Sequence, residues 1–208
     1  MGKRQVNPVA IFDRDGTLID VVRDEELGVT HVAYHPSQLR LLSGAVEGML
    51  LLQRAGFAIA IATNQPGPAK GQISADAVRR TNSALMGLLR EHGVLVSSLE
   101  ACMHHPDGGP GADPTLVRRC DCRKPKPGLL TTILANLDGD TSRSWMIGDS
   151  TADLEAGRAA GVNRALVFST HRCELCPLRN GPNSLAPDVH GPNLVAIAQA
   201  ILSLPSDP

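Results

Sequence analysis

Residues 9–17 read Val-Ala-Ile-Phe-Asp-Arg-Asp-Gly-Thr, an unbroken apolar run that stops in charge and a turn residue. Val9 to Phe12 has the length and continuity of a strand buried on both faces, as strands of a parallel sheet are. Asp13 and Asp15 follow at alternate positions, so in extended backbone their carboxylates project to the same side. Like charges that close repel unless something positive lies between them or one keeps a proton.

The rest of the chain repeats the theme of apolar runs separated by helical patterns, which predicts an α/β fold with a mostly parallel sheet between helical layers. Ala58 to Ala62, Val94 to Ala101, Ser144 to Ile147 and Ala165 to Phe168 read as further strands. Helices are expected over Ala45 to Ala55, Ala77 to Arg90, Leu129 to Leu137, Asp153 to Ala160 and Leu194 to Leu202. Val78, Leu85, Leu88 and Leu89 share one face of the second helix, Ser74 is its N-cap, and Asn193 caps the last. The segments 105–119 and 171–191, rich in Gly, Pro or Asn, resist assignment. With no repeat and no linker, residues 1–208 are expected to form one domain, into which a loop at 102–122 is inserted.

Composition narrows the function. Apolar residues make up 42 % of the 208 and aromatics 2 %, so Ala, Val, Leu and Ile must fill the core. Twenty Lys and Arg against 21 Asp and Glu leave a formal charge of -1, which argues against a dedicated nucleic-acid binder. No apolar run approaches the ~20 residues of a membrane span. The stretch MGKRQVNPVAIFDRDG reaches charged residues too soon to hold the apolar core of a signal peptide. A cytoplasmic protein is therefore expected, its five cysteines reduced or holding metal.

Each strand of interest ends in a polar signature: Asp13 to Thr17 after the first, Thr63-Asn64 after the second, Gly148-Asp149 and then Asp153 after the fourth. Ligands of open parallel sheets sit beyond the carboxyl ends of the strands, where these groups should converge. Oxygens from Asp13, the backbone carbonyl of Asp15 and Asp149 suit magnesium, which keeps several waters and shares a substrate phosphate. Taken singly, each Asp reads as well as a turn or cap residue. Cys102-Met103-His104 and Cys120-Asp121-Cys122 offer three thiolates and an imidazole, the usual composition of a structural zinc site. Free thiols in a loop are the alternative. Cys173 and Cys176, with His171 nearby and His190 as a distant fourth ligand, read more readily as ordinary thiols than as a second metal site.

The set Asp13-x-Asp15-Gly16-Thr17, Thr63, Lys124 and Gly148-Asp149-x-x-x-Asp153 resembles the signatures of haloacid dehalogenase (HAD) phosphatases over nearly the whole chain. With Cys102-x-His104-His105-Pro106 and Cys120-x-Cys122-Arg123-Lys124-Pro125, the pattern is similar to the heptose bisphosphate and histidinol-phosphate phosphatase group. The resemblance implies a Rossmann-like three-layer sandwich without a large cap domain, in which a zinc-stabilised loop takes the cap's place. It implies Asp13 as a nucleophile that becomes an aspartyl-phosphate, and Asp15 as the acid that protonates the leaving alkoxide and then activates water. Thr63 and Lys124 would stabilise the transferring phosphoryl group, and Asp153 would orient them or simply start its helix. Asn64 and Arg123 would contact substrate.

Departures from that pattern fall at recognition positions. Pro66 stands where the group usually has Ser, Ser150 where many have Lys, and Leu18-Ile19-Asp20 opens a longer loop. Lys70 replaces an Arg, and could serve a second phosphate as a point charge. The implied activity is magnesium-dependent removal of the C7 phosphate from heptose 1,7-bisphosphate by a monomer acting on a small sugar phosphate, without nucleic acid or membrane. The alternatives are a histidinol-phosphate phosphatase, a polynucleotide 3′-phosphatase, which would need a cationic groove, and a non-catalytic zinc-stabilised binding module.

Overall fold

The computed structural model describes residues 7–24, 26, 28–168 and 186–205. In chain order the elements are β1 (Val9–Phe12), β2 (Val22–Asp24), β3 (Val29–His31), α1 (Ala45–Arg54), β4 (Ala58–Asn64), α2 (Ala75–Glu91) and β5 (Val96–Cys102). They continue with α3 (Gly128–Asn136), β6 (Trp145–Gly148), α4 (Thr151–Ala160), β7 (Asn163–Val167), β8 (Val189–Gly191) and α5 (Leu194–Ser203). Among the described residues, six strands form one sheet in the order β5-β4-β1-β6-β7-β8. Every pairing within it is parallel.

The apolar run Val9 to Phe12 is the middle of this sheet. Val9, Ala10, Ile11 and Phe12 are all 0 % exposed. Their side chains alternate between two cores, as the two-residue period of a strand requires. Ala10 and Phe12 join α1, α2 and α5 residues such as Met49, Leu85 and Ile197 on one face. Val9 and Ile11 join Leu130 and Ile133 of α3 and Ala156 of α4 on the other. A strand covered on both sides has no reason to alternate polar and apolar residues, which is why this one reads as a continuous run.

Caps fix the helix starts as expected. Ser74 Oγ accepts from Ala77 N at 3.2 Å, and Asn193 Oδ1 from Ala196 N at 2.9 Å. The seventh strand begins at Asn163, ahead of the expected Ala165, because Asn163 and Arg164 pair with Trp145 and Met146. Two features go beyond the expected elements. The short strand β8 closes one edge of the sheet, and β2 and β3 form a separate antiparallel hairpin in the loop after Thr17. The expectations for His171, Cys173 and Cys176 lie outside the described residues, while His190 sits in β8.

The chain runs outward from β1 to β4 and β5, then returns to the other side of β1 for β6, β7 and β8. The direction of winding therefore reverses between β1 and β6, the place where open α/β sheets leave a crevice.

Candidate active site

The crevice is a cavity of about 540 Å³ lined by Asp13, Asp15, Thr63, Asn64, Lys124, Asp149, Ser150 and Asp153, with hairpin-side residues Val21, Arg23, Thr30 and Val32. Its floor is backbone. Asp13 N donates to Ile147 O at 2.9 Å, which ties the end of β1 to β6. Gly16 takes a φ of +87°, a left-handed turn that costs a glycine little, and its N donates to Ile19 O at 2.7 Å to close the loop. Gly148 is needed for a different reason. A Cβ there would fall on the carboxyl group of Asp153, which folds back beneath it.

Lys124 holds the acidic groups together. It is 4 % exposed, and its three N–H bonds go to Asp13 Oδ1 at 2.8 Å, Asp153 Oδ1 at 2.6 Å and Ala62 O at 2.7 Å. Burial works against its charge, but Asp13 and Asp153 outweigh it and hold the ammonium above its ordinary pKa. Burial pushes the Asp13 carboxyl up to about 7 against the pull of Lys124, and the charges of Asp153, Asp149 and Asp15 add to the rise. Asp153 links Lys124 to the start of α4. One oxygen takes Lys124, and the other accepts from Ser150 N at 3.1 Å and Ser150 Oγ at 2.5 Å as a capping box of α4.

One oxygen each of Asp13, Asp149 and Asp153 lies within 4.8 Å of the others. Three carboxylates drawn this close beside a single lysine leave unbalanced negative charge, and hard oxygen donors of this kind fit magnesium. Thr17 Oγ1 donates to Asp149 Oδ1 at 3.1 Å and so helps to fix that carboxylate. The side chain of Asp15 stands apart from the convergent set. Its oxygens accept from Arg14 and from Gln65 Nε2, the latter at 2.7 Å.

The second cluster is sulfur. Cys102 ends β5, and the loop after it returns Cys120 and Cys122 to the same point. The gaps are 3.2 Å for Cys122 Sγ to Cys102 Sγ, 3.6 Å for Cys120 Sγ to Cys102 Sγ, and 3.3 Å for His104 Nδ1 to Cys122 Sγ. A zinc tetrahedron with Zn–S bonds of about 2.3 Å has edges of about 3.8 Å, so the four donors already stand near the corners such an ion would use. Burial and the bond with Cys122 hold the Cys102 thiol above its ordinary pKa, so a metal entering there must expel a proton. Nε2 of His104 faces the Arg118 guanidinium at 2.9 Å. A metal on Nδ1 leaves the proton on Nε2, so that contact has to open when the site is filled.

A family model described as HAD-hydrolase-like matches residues 121–189. The D-glycero-beta-D-manno-heptose-1,7-bisphosphate 7-phosphatase of Pseudomonas aeruginosa is 37 % identical over 157 residues, covering 76 % of this chain and 79 % of that protein. The enzyme of the same name from Pasteurella multocida is 32 % identical over 163 residues, covering 77 % and 82 %. The chain belongs to this family of HAD phosphatases. A crystal structure of the D,D-heptose 1,7-bisphosphate phosphatase of B. bronchiseptica, complexed with magnesium and phosphate, superposes with a TM-score of 0.73 at 28 % identity, covering 94 % of this chain and 98 % of that one. As expected for the HAD phosphatases, helices cover both faces of a mostly parallel sheet.

Within this family member, the residues singled out in the sequence for the phosphate site fall in three places. Asp13, Asp15, Thr63, Lys124 and Asp149 meet in the cavity. Asn64 also lines it, but its amide is engaged elsewhere: Lys124 N donates to Oδ1 at 3.0 Å, and Nδ2 donates to Lys124 O at 2.9 Å. The amide therefore positions the lysine's backbone. Arg123 lines a neighbouring groove of about 350 Å³ with His105, Arg118 and Arg119, and its buried Nη1 has no hydrogen-bond partner among the described residues. Lys70 is exposed and lies outside the cavity lining. Sequence reasoning missed three contributors: the hairpin that walls the cavity, Gln65, and Arg14, which is 0 % exposed. The hairpin left a faint signal in the β-prone residues on either side of Gly28.

Proposed function

We propose that this chain removes the C7 phosphate of D-glycero-D-manno-heptose 1,7-bisphosphate, by way of an aspartyl-phosphate at Asp13. The observation that carries the reading is the placement of Asp13. Its carboxylate opens into the cavity at the end of the central strand, 2.8 Å from a buried lysine and among further carboxylates. The names of the relatives supply the substrate. In the first step a carboxylate oxygen of Asp13 bonds to phosphorus, the bond from phosphorus to the C7 oxygen breaks, and Asp15 gives its proton to the departing alkoxide. In the second, Asp15 takes a proton from water as the water oxygen bonds to phosphorus, releasing phosphate and the Asp13 carboxylate. Thr63 donates its hydroxyl to a phosphoryl oxygen, and the Lys124 ammonium lies where negative charge builds up.

Magnesium held by Asp13, the Asp15 carbonyl and Asp149 would supply positive charge against the phosphoryl oxygens when bound. Zinc held by Cys102, His104, Cys120 and Cys122 would be structural, fixing the loop from which Arg123 and Lys124 leave. Arg123, which lines the neighbouring groove, would meet the non-reacting end of the substrate. We place the enzyme in the cytoplasm as a monomer formed by one domain; among the described residues no helix is long and apolar enough to cross a membrane. The test is phosphate release from heptose 1,7-bisphosphate, histidinol phosphate and a 3′-phosphorylated oligonucleotide, assayed side by side with magnesium. The heptose bisphosphate should have the highest kcat/KM. Faster turnover of either competitor would overturn the assignment.

A further inference from the structure

Arg14 lies between the two aspartates and takes no part in the steps above, yet its guanidinium is fully buried. A buried cation is costly unless its donors are met, and here they are met by one carboxylate and two distant anchors. Nε donates to Asp15 Oδ2 at 2.9 Å and Nη2 to Asp15 Oδ1 at 3.0 Å, a two-point grip on the neighbouring side chain. Nη1 donates to Asn82 Oδ1 of α2 at 2.6 Å, and Nη2 also donates to Ala33 O, beyond the hairpin, at 3.0 Å.

Gln65 completes the arrangement from the other side. Its Nε2 donates to Asp15 Oδ2 at 2.7 Å and to Thr63 Oγ1 at 2.8 Å. Because Thr63 Oγ1 accepts from Gln65, its own hydrogen is left to point at a ligand in the cavity.

We propose that Arg14 is a positioning residue that aims the Asp15 carboxyl at the leaving-group oxygen, with Asn82 fixing the aim from α2. Asp15 sits in a turn beyond β1, where no strand pairing fixes its side chain, and among the described residues only Gln65 and Arg14 hold it. The guanidinium replaces that missing support with a planar fork whose far edge is anchored on other elements. Proton transfer needs the carboxyl within hydrogen-bond reach of the departing oxygen, and a misplacement of about 1 Å can cost about 10²-fold. The inference rests on Asp15 being the proton-transfer group.

Its test is the dependence on leaving group. A nitrophenolate departs without protonation and a sugar alkoxide does not, so faulty aim harms the sugar phosphate more. Steady-state kcat/KM for both substrates would be compared in wild type, Asp15→Asn, Arg14→Gln and Asn82→Leu. Arg14→Gln should lose about 10²-fold on the sugar phosphate and tenfold less on the nitrophenyl ester. Asn82→Leu, which keeps the Arg14–Asp15 pair but removes its anchor, should show the same bias at about threefold to tenfold. Should Arg14→Gln fail to fold, judged by circular dichroism, Asn82→Leu decides. Equal losses on the two substrates in every folded variant, while Asp15→Asn shows the bias, would overturn the role of Arg14 and leave the mechanism standing. An Asp15→Asn enzyme with no bias would instead remove the acid role itself.

Discussion

Asp13 and Asp149 stand just beyond strands that the sheet pairs on both sides and Asp153 in the first turn of α4, whereas Cys120 and Cys122 stand on a loop outside every strand. The carboxylates are brought together by the pairing of β1 with β6 and by the start of α4, so their repulsion is imposed by the fold and relieved by Lys124. Cys120 and Cys122 are brought by the path of a loop to Cys102 at the end of β5, and the mutual contacts of the thiols are weak S–H bonds. A cluster held under electrostatic load by a sheet is in place before a cation arrives. A cluster at the end of a loop gains most of its rigidity from the metal it takes. Lys124 belongs to both regions, since it follows Cys122 in the chain and is clasped by Asn64 at the end of β4.

The largest effect should come from the sheet-borne side. Asp13→Asn keeps the shape of the side chain but cannot form the phosphoenzyme, and kcat should fall on the order of 10⁴-fold or more. An unchanged circular dichroism spectrum would show that the loss is chemical. Next comes the shared residue. Lys124→Ala should lower kcat/KM by about 10²- to 10³-fold, the scale of losing a preorganised charge stabiliser. Lys126→Ala is its control, since Lys126 is half exposed and pairs only with an exposed Asp121. Steady-state assays should leave that control within about twofold of wild type, because surface pairs contribute little.

The loop side should be more forgiving. Metal analysis should find close to one zinc per chain in the wild type and none in Cys120→Ser/Cys122→Ser. We expect kcat/KM in that double variant to fall only about tenfold, because Asn64 still holds the Lys124 backbone. Adding Asn64→Ala should multiply the loss beyond the product of the separate effects, the mark of two tethers on one group. Simple multiplication would show that the loop and the sheet act on Lys124 independently.

How much of this was legible in the sequence follows the same division. Asp13, Thr63 and Asp149 could be placed because long apolar runs announce strands and ligands gather at strand ends. The hairpin strands and β8, each three residues long, are too short to show a period. Arg14 was passed over because an arginine beside a turn is ordinarily solvated, and only the fold supplies Asn82 and Ala33 as partners. Asn64 was expected to contact substrate, and its clasp on Lys124, 60 positions away in sequence, is likewise supplied only by the fold. Lys70 was chosen from its place in a pattern, but its neighbourhood turns back on itself through Lys70 N to Pro66 O at 3.0 Å, and its side chain is left in solvent.

A smaller, graded effect separates the carboxylate cluster from an ordinary surface site. Asp13 titrates at about 7 in the metal-free site instead of near 3.8. Magnesium needs the ionised form, so its affinity should weaken by about tenfold per pH unit below about 7 and level off above it. The sign for stability is opposite. A carboxyl whose folded pKa is raised contributes stability that is fully present below the unfolded value and is lost as pH rises through the folded one. Thermal melts in chelator should therefore show this contribution fading between about pH 4 and pH 7, and added magnesium should stabilise more at pH 8 than at pH 6. A magnesium affinity that stays flat down to pH 5 would mean that Asp13 is ionised throughout.

The central claim, that Asp13 is where the phosphoryl group lands, can be tested by trapping. Enzyme mixed with a sugar phosphate and magnesium, quenched in acid within a turnover and digested, should yield one phosphorylated peptide by mass spectrometry. Fragmentation should place the group on Asp13, and the Asp13→Asn protein should give none. A phosphoryl group found on another residue, or an Asp13→Asn enzyme that still turns over at the wild-type rate, would contradict the account.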